Sequence, residues 1–267
     1  MRPSLVPSYA SFPSFAKVCA YGSVKVSPTD LPALRKSPSG VPKSTLSASS
    51  LKSSDDQSII GLTATLKAVN SFAMENIDFA AWGVIAAPIF FGRGGNAGAL
   101  RRYADEGVWG ISPQMVPQLS HHALPGTISM ALKLHGPNYA IGNGPEAMGE
   151  GIMLAATMLS EGRLPGLWLV MTRYSPEYIP NDDTAGSASN HAMGEGIALA
   201  LTPIENSGKG PEFLFSPDDE FDLALPVFEL SNMADQLQTD NPRGRWRLPG
   251  FGWFGIQDRP AAMEMRA

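Results

Sequence analysis

Two short, almost uninterrupted apolar runs limit the folds that this chain can adopt. Phe79 to Phe91 reads FAAWGVIAAPIFF, and Leu167 to Arg173 reads LWLVMTR. Runs of this length without polar alternation are typical of strands buried on both faces, as in a sheet with helices on either side. Ser58 to Ala73 has apolar residues three and four positions apart, which predicts an amphipathic helix. Strands that alternate with helices predict an α/β fold with a covered sheet.

Other segments continue this alternation. Ala16 to Val26 is rich in β-forming residues, and Ile197 to Leu201 is a further short apolar run, so both are predicted strands. Pro145 to Gly162 is the clearest helix, because proline lies just inside its start and glycine closes its end, with Asn143 or Gly144 as the predicted N-cap. The remaining predicted elements are helices at Ala97 to Glu106 and Thr127 to Leu134 and a strand at Tyr139 to Gly142.

Changes in composition divide the chain into three parts. Residues 1–15 form a predicted N-terminal extension, residues 16–217 one folded domain, and residues 218–267 a tail whose packing the sequence leaves open. Inside the domain, residues 29–56 are rich in Ser, Pro and Lys, and we predict a flexible surface loop there. Residues 111–126 contain three prolines and also read as a loop.

Composition excludes several classes of partner and location. The net charge is −5 and no basic stripe is present, so we expect no nucleic-acid partner. No run of eighteen apolar residues occurs, so we expect no membrane span, and Pro and Ser interrupt the N-terminus too often for a cleaved signal peptide. The single cysteine, Cys19, fits a reducing compartment, which predicts a cytoplasmic protein.

Four local patterns occur in one order along residues 16 to 203. They are AKVCAYGSVKVSP, then ISPQMVPQLSHHALPGTISMALKLHGPN, then the strand and helix that follow Gly136-Pro137-Asn138, and finally MGEGIALAL. Together they resemble the N-terminal half of β-ketoacyl synthases of the thiolase superfamily. The resemblance implies a thiolase-like half, namely a mixed five-stranded sheet covered by helices, that assembles as a dimer.

In the family that this chain resembles, a reactive cysteine lies nine residues after the glycine of Gly-Pro. Counting from Gly136 leads to Pro145, which has no nucleophilic group. The family's thiol gains from its position, because a helix N-terminus lowers a cysteine pKa. The next residue, Glu146, is a poor nucleophile for a thioester and suits the first turn of a helix. The resemblance is therefore to cysteine-lacking members of the chain-length-factor type.

A further expectation concerns the family's second half. It carries two basic residues, usually histidines, that handle decarboxylation, and we expect none of them in a chain of this length. The segment LPGFGWFG resembles the glycine-phenylalanine-glycine turn near the family's C-terminus.

The remaining candidates have structural interpretations beside the functional ones. His121 and His122 are either a pocket or interface pair, or loop residues bonded to backbone carbonyls. No Cys, Asp or Glu stands near them at metal-ligand spacing, so no metal is expected. Gly92 to Gly98 (GRGGNAG) fits neither the dinucleotide nor the P-loop pattern, so we interpret it as a turn and expect no cofactor. Cys19 lies in an apolar strand and is predicted to be inert.

The resemblance, taken together with these residues, implies three functional hypotheses. The first is a non-catalytic accessory subunit in fatty-acid or polyketide-type biosynthesis. It would pair with an active ketosynthase or with itself, and an acyl carrier protein is a further possible partner. By position in the family, its dimer strand is Tyr139, Ala140, Ile141, Gly142 and Asn143. The alternative is an enzyme with altered acid/base chemistry on an acyl substrate, with Glu146 and His122, and also His121, as candidates. The third is a module that binds an acyl group or carrier protein without turnover.

Overall fold

The fold is seen in a computed structural model, which describes residues 14–36, 46, 48–74, 76–113, 115–177, 192–204, 210–217 and 224–258. The helices are α1 Leu31–Lys36, α2 Ala48–Ser53, α3 Asp56–Ser71, α4 Arg93–Glu106, α5 Met115–Leu119, α6 Ala123–Leu132, α7 Ala147–Ser160 and α8 Leu230–Leu237. The strands are β1 Ser14–Val26, β2 Gly83–Pro88, β3 Asn138–Ala140, β4 Leu167–Ser175, β5 Met193–Pro203, β6 Glu212–Ser216, β7 Arg243–Leu248 and β8 Gly252–Gln257. A 3₁₀ helix, Gly107–Gly110, follows α4.

All the described strands belong to one mixed sheet in the order β3-β2-β4-β5-β1-β6-β8-β7. β2 runs parallel to β3 and β4, and every other neighbouring pair is antiparallel. A covered, mixed α/β sheet is what the sequence predicts. The expected number of five strands is wrong, because β6, β8 and β7 extend the sheet beyond the contiguous set β3 to β1.

Helices cover both faces of this sheet and create two apolar cores. On one face α7 and α8 pack against the strands, and Ile152 and Met233 lie in that core together with Leu199 of β5. On the other face α3 and α6 pack down, with Ile60 and Leu124 in the core. The strands at the centre of the sheet are buried from both sides, which explains their continuous apolar sequences.

Helix α3 is enclosed on both of its sides. Its Ile59, Leu62 and Leu66 point away from the sheet and pack with Leu51 of α2. The predicted loop over residues 29–56 is therefore wrong for α1 and α2, while residues 37–45 and 47 lie outside the described part. These helices have six residues each, and single apolar anchors such as Leu31 and Leu51 leave no periodicity to detect.

The described part of the C-terminal tail belongs to the same sheet. An aromatic cluster joins it to the core, because the ring of Phe254 lies 4.7 Å from that of Phe228 and 5.1 Å from that of Trp246. Such aromatic contacts stabilise beyond their buried area. The packing that the sequence left open is thus that of a sheet extension with α8 on one face.

Two further boundaries differ from the sequence prediction. Helix α4 begins at Arg93 instead of Ala97, so most of the GRGGNAG segment is helical and only its first glycine precedes the helix. The predicted loop 111–126 contains α5 and the start of α6. None of the helices in the described ranges is long and apolar enough to cross a bilayer.

Candidate functional site

The candidate site is the tight turn between β3 and α7. The strand ends at Ala140, and Gly142 then adopts a left-handed conformation with φ of 71°. A Cβ on Gly142 would lie 2.5 Å from the Cβ of Ala147, so only glycine fits this turn. The predicted strand through Gly142, and the predicted dimer strand through Asn143, are therefore too long, because the chain leaves the sheet after Ala140.

Asn143 links this turn to the turn that follows β2 through two hydrogen bonds. Its side-chain Oδ1 accepts a hydrogen bond from the backbone N–H of Phe91, and its carbonyl accepts one from Phe90 at 3.2 Å. Because β2 and β3 are parallel, both turns lie at the carboxyl ends of their strands, where α/β proteins commonly form their sites. Asn143 therefore holds the turn in place and is not the N-cap of the helix.

Pro145 and Glu146 end the turn and are both exposed. Glu146 is the N-cap residue of α7, in place of the predicted Asn143 or Gly144, and its side chain makes no capping hydrogen bond. The turn therefore presents a proline ring and an exposed carboxylate. Neither group supplies a thiol or another strong nucleophile at the start of the helix.

The C-terminal hairpin, formed by β7 and β8, packs against the first turn of α7. The ring of Phe251, in the turn between β7 and β8, lies against Gly149, where an added Cβ would be 2.7 Å from the ring. Phe251 is partly buried and packs on the core of that face. The Gly-Phe-Gly segment seen in the sequence therefore adjoins the helix that follows the candidate turn.

The two candidate histidines do not belong to this turn. Both are exposed at the start of α6, and the ring of His121 lies 6.4 Å from that of Phe91. His122 lines an open groove between α2 and α6, with Leu46 and Met130. Within the described residues, no hydrogen bond joins either histidine to Glu146. The structure does not bring together the acid/base pair of the alternative hypothesis.

A polar pocket that the sequence did not reveal lies at the carboxyl ends of β2 and β4. Asp55, Arg93 and Glu177 line it, together with Gln57, which is almost fully buried. Gln57 Nε2 donates to the carbonyl of Ile89 at 2.9 Å, and its Oε1 accepts from the hydroxyl of Thr172 at 2.7 Å. The only sequence signal for this role is one amide side chain at the start of an apolar helix.

Burial raises the pKa of Asp55 in this pocket to about 7. Its carboxylate accepts a hydrogen bond from the N–H of Gln57 at 2.8 Å and so caps α3. Asp56 raises the pKa further, whereas the capping bond and Arg35 lower it. Desolvation dominates because it disfavours the charged form.

Cys19 is partly buried, and its thiol donates to the carbonyl of Ala200 at 3.2 Å. Desolvation raises the pKa of Cys19 to about 11, so the group is protonated at neutral pH. Across the described ranges, no three His, Cys, Asp or Glu side chains come together as a metal site.

Comparison with known proteins gives structural relatives only. No protein-family model matches the chain, and no curated protein sequence matches it. A structure of a ketosynthase in complex with its chain length factor from Xenorhabdus doucetiae matches with a TM-score of 0.54 and 12% identity, over 92% of this chain and 99% of that chain. A β-ketoacyl synthase from Burkholderia phymatum STM815 has a TM-score of 0.55 and 13% identity, over 84% of this chain and 69% of that chain.

A third structure contains a type II polyketide acyl carrier protein in complex with its ketosynthase bound to the hexaketide. It has a TM-score of 0.53 and 15% identity, over 77% of this chain and 70% of that chain. Identities this low establish the architecture alone. By its mixed sheet, its covering helices and these neighbours, the chain has the thiolase-like fold of ketosynthases and chain length factors.

Proposed function

We propose that this chain is a non-catalytic, ketosynthase-like accessory subunit in fatty-acid or polyketide-type biosynthesis, and that it pairs with an active ketosynthase. The observation that carries the proposal is the turn before α7. Pro145 occupies the position that, by spacing from Gly136, corresponds to the family's cysteine, and it is followed by an exposed Glu146. A chain of this fold without a thiol at the start of that helix has no nucleophile to accept the acyl group from a thioester, which condensation requires.

The unpaired edge of β3 supports a partner. β3 pairs with β2 on one side, and in the described part of the chain no strand pairs with its other edge. Tyr139 at the middle of this edge is 45% exposed. Because open backbone N–H and C=O groups on an edge favour addition of another strand, we expect β3 to pair with the partner.

The outer face of α7 supports the same conclusion. Glu150 is the only charged residue in this helix, and Met153 on its surface is 41% exposed. A helix that meets water usually carries a polar, charged face. We therefore infer that α7 is covered when the protein is assembled.

The structural neighbours are consistent with this partner. One match comes from a ketosynthase in complex with its chain length factor and is aligned over nearly all of the matched chain. Another neighbour includes an acyl carrier protein. We propose an acyl carrier protein as a further, transient partner of the complex, and a cytoplasmic location in keeping with the single cysteine.

Native mass spectrometry of the protein purified from its own cells tests the proposal. We expect a stable complex of this chain with a ketosynthase that carries the family's cysteine, and condensation activity that requires both chains. A homodimer that condenses acyl thioesters without another protein would refute it.

Acid/base catalysis by Glu146 and His122 has less support. A general acid or base acts best when burial shifts its pKa toward neutrality, and both of these side chains are exposed. A Glu146→Gln variant that lost an acyl-processing activity of the purified chain would revive this alternative.

A further inference from the structure

In the connection between β2 and β3, the first part, α4 with the 3₁₀ helix that follows it, buries almost nothing, whereas α6 belongs to the core. In α4, Ala99 is the only residue that is buried, and the 3₁₀ helix Gly107–Gly110 that follows has none. Trp109 is 92% exposed, and Leu100 and Val108 are 68% and 67% exposed. Several exposed apolar side chains on adjoining elements, unlike a single one, indicate an interaction surface.

The sequence of α4 gives it little stability of its own. Gly94, Gly95 and Gly98 all lie inside the helix, and glycine is among the weakest helix formers. A helix of this length is marginal in water unless one face is packed. Arg102 Nε donates to the carbonyl of Gly110 at 3.2 Å and joins the 3₁₀ helix to α4, so the two form one unit. We call this unit, Arg93 to Gly110, the arm.

Exposed apolar side chains occur on each of the elements that lead from the arm to the open edge of the sheet. The exposed members of this set are Leu100, Tyr103, Val108, Trp109, Val116, Met130 and Tyr139. Their elements adjoin, because the 3₁₀ helix packs on α4, Gly95 of α4 lies against Leu119 of α5, α5 packs on α6, and α6 packs on β3. Since an aromatic residue buries roughly 150–250 Å² and an aliphatic one somewhat less, the set would bury on the order of 800 Å². This is about the area that each partner contributes to a standard stable interface.

We propose that the arm docks on the ketosynthase that pairs with β3, with Trp109 as the central anchor of that contact. The inference rests on the proposed function and extends it to a surface outside the sheet edge. The occupant is a ketosynthase subunit because the elements that carry the apolar set lead to the edge of β3, and the area of the set matches one side of a stable complex. Tryptophan is the residue type most enriched among interface positions that dominate affinity.

The test uses the full chain and the cysteine-containing ketosynthase recovered with it from its own cells. We expect Trp109→Ala to raise the dissociation constant of the complex with the ketosynthase at least about 30-fold, which is the usual threshold for an anchor residue. The free variant keeps the melting temperature of the wild type, because the side chain is exposed in the free chain. Ile77→Ala is the matched control, since Ile77 is an exposed apolar residue that lies before β2. We expect the affinity of this variant for the ketosynthase to stay within about twofold of wild type.

The outcomes separate the two proposals. If Trp109→Ala binds the ketosynthase as tightly as Ile77→Ala does, the arm is not the anchor, while the accessory function stands. If wild type binds no ketosynthase, the proposed function fails first. If Trp109→Ala abolishes self-association of the chain and leaves ketosynthase binding unchanged, the occupant is a second copy and the inference is wrong.

Hydrogen exchange gives a second readout. We expect the backbone amides of residues 97–110 to exchange at least about tenfold more slowly in the complex than in the free chain, because docking buries a helix that has almost no packed face. Equal exchange rates in the free chain and the complex would overturn the inference.

Discussion

Asp55 combines two roles that conflict at neutral pH. As the N-cap of α3 it accepts a hydrogen bond from the N–H of Gln57, which favours the carboxylate. Its burial favours the neutral acid and raises the pKa to about 7. The charged neighbours Arg35 and Asp56 form an ion pair with each other beside it. The protonation state of one side chain therefore affects the start of the central helix.

This shift predicts how stability depends on pH. The pKa is about 7 in the folded chain and 3.8 in its ordinary state, so between these values the folded protein binds more protons than the unfolded one. The contribution of Asp55 to the unfolding free energy is therefore largest below pH 4 and is lost as pH rises through 7. We expect the wild type to lose stability relative to Asp55→Asn by on the order of 2–4 kcal/mol across this range.

Urea unfolding at several pH values measures this effect. Asn is the matched substitution, since it also caps helices but does not titrate. Parallel stability curves for the two proteins between pH 4 and pH 7.5 would show that the carboxyl group is not perturbed.

Among the elements, helix α7 depends on the close approach of the C-terminal hairpin. A Cβ on Gly149 would lie 2.7 Å from the ring of Phe251. The helix after the candidate turn and the last hairpin of the described chain are therefore packed against each other without a gap. This contact fixes the start of α7 through residues that are about a hundred positions apart.

We expect Gly149→Ala to destabilise the protein by about 1–3 kcal/mol, because the hairpin must move to admit the methyl group. Gly126→Ala is the control: Gly126 is inside α6, an added Cβ there meets nothing within 4 Å, and the change should be neutral or stabilising by up to about 1 kcal/mol. Chemical denaturation measures both variants. If Phe251→Ala and Gly149→Ala were simply additive in the double variant, the two residues would not be in contact in solution.

The elements also show what sequence alone can predict. The continuous apolar runs located β2 and β4, and Pro at one end with Gly at the other located α7 to within two residues. The helices α1 and α2 escaped detection because six residues show no period, and β7 and β8 because glycine and arginine interrupt their apolar residues.

At the candidate site, spacing from Gly136 predicts Pro145 as the counterpart of the family's cysteine, and the structure places Pro145 just before α7. The bonds of Asn143 to the turn after β2 and the burial of Gln57 depend on contacts between distant segments, which local pattern does not reveal.

At the scale of the whole molecule, an ion-pair network connects the sheet to its C-terminal extension. Glu195 is buried and accepts from Arg173 at 2.9 Å and from Lys25 at 3.1 Å. Arg173 also pairs with Glu229, the residue that precedes α8. The network therefore joins β1, β4 and β5 to the helix that covers the added strands.

We expect Arg173→Met to cost about 3 kcal/mol, because it leaves the buried Glu195 carboxylate with one exposed partner. Lys25→Met is the control, since Lys25 is mostly exposed and its pair should contribute less than about 1 kcal/mol. Urea unfolding of both variants is followed by far-UV circular dichroism and by tryptophan fluorescence. For the wild type, the two signals should show one coincident transition. Two separate transitions would mean that the extension unfolds independently of the sheet.

The two edges of the sheet differ in chemistry, and this difference limits how far an assembly can grow. At one edge β3 carries Asn138, Tyr139 and Ala140, without any charge, whereas the opposite edge is β7, with arginine at every second position. On β7 the backbone N–H of Arg247 donates to the carbonyl of Pro226, and the carbonyl of Arg247 accepts from the N–H of Phe228, so this part of the edge is already occupied. A chain that recruits its partner through β3 therefore has its opposite edge partly closed by its own backbone, which favours a discrete complex over a fibre.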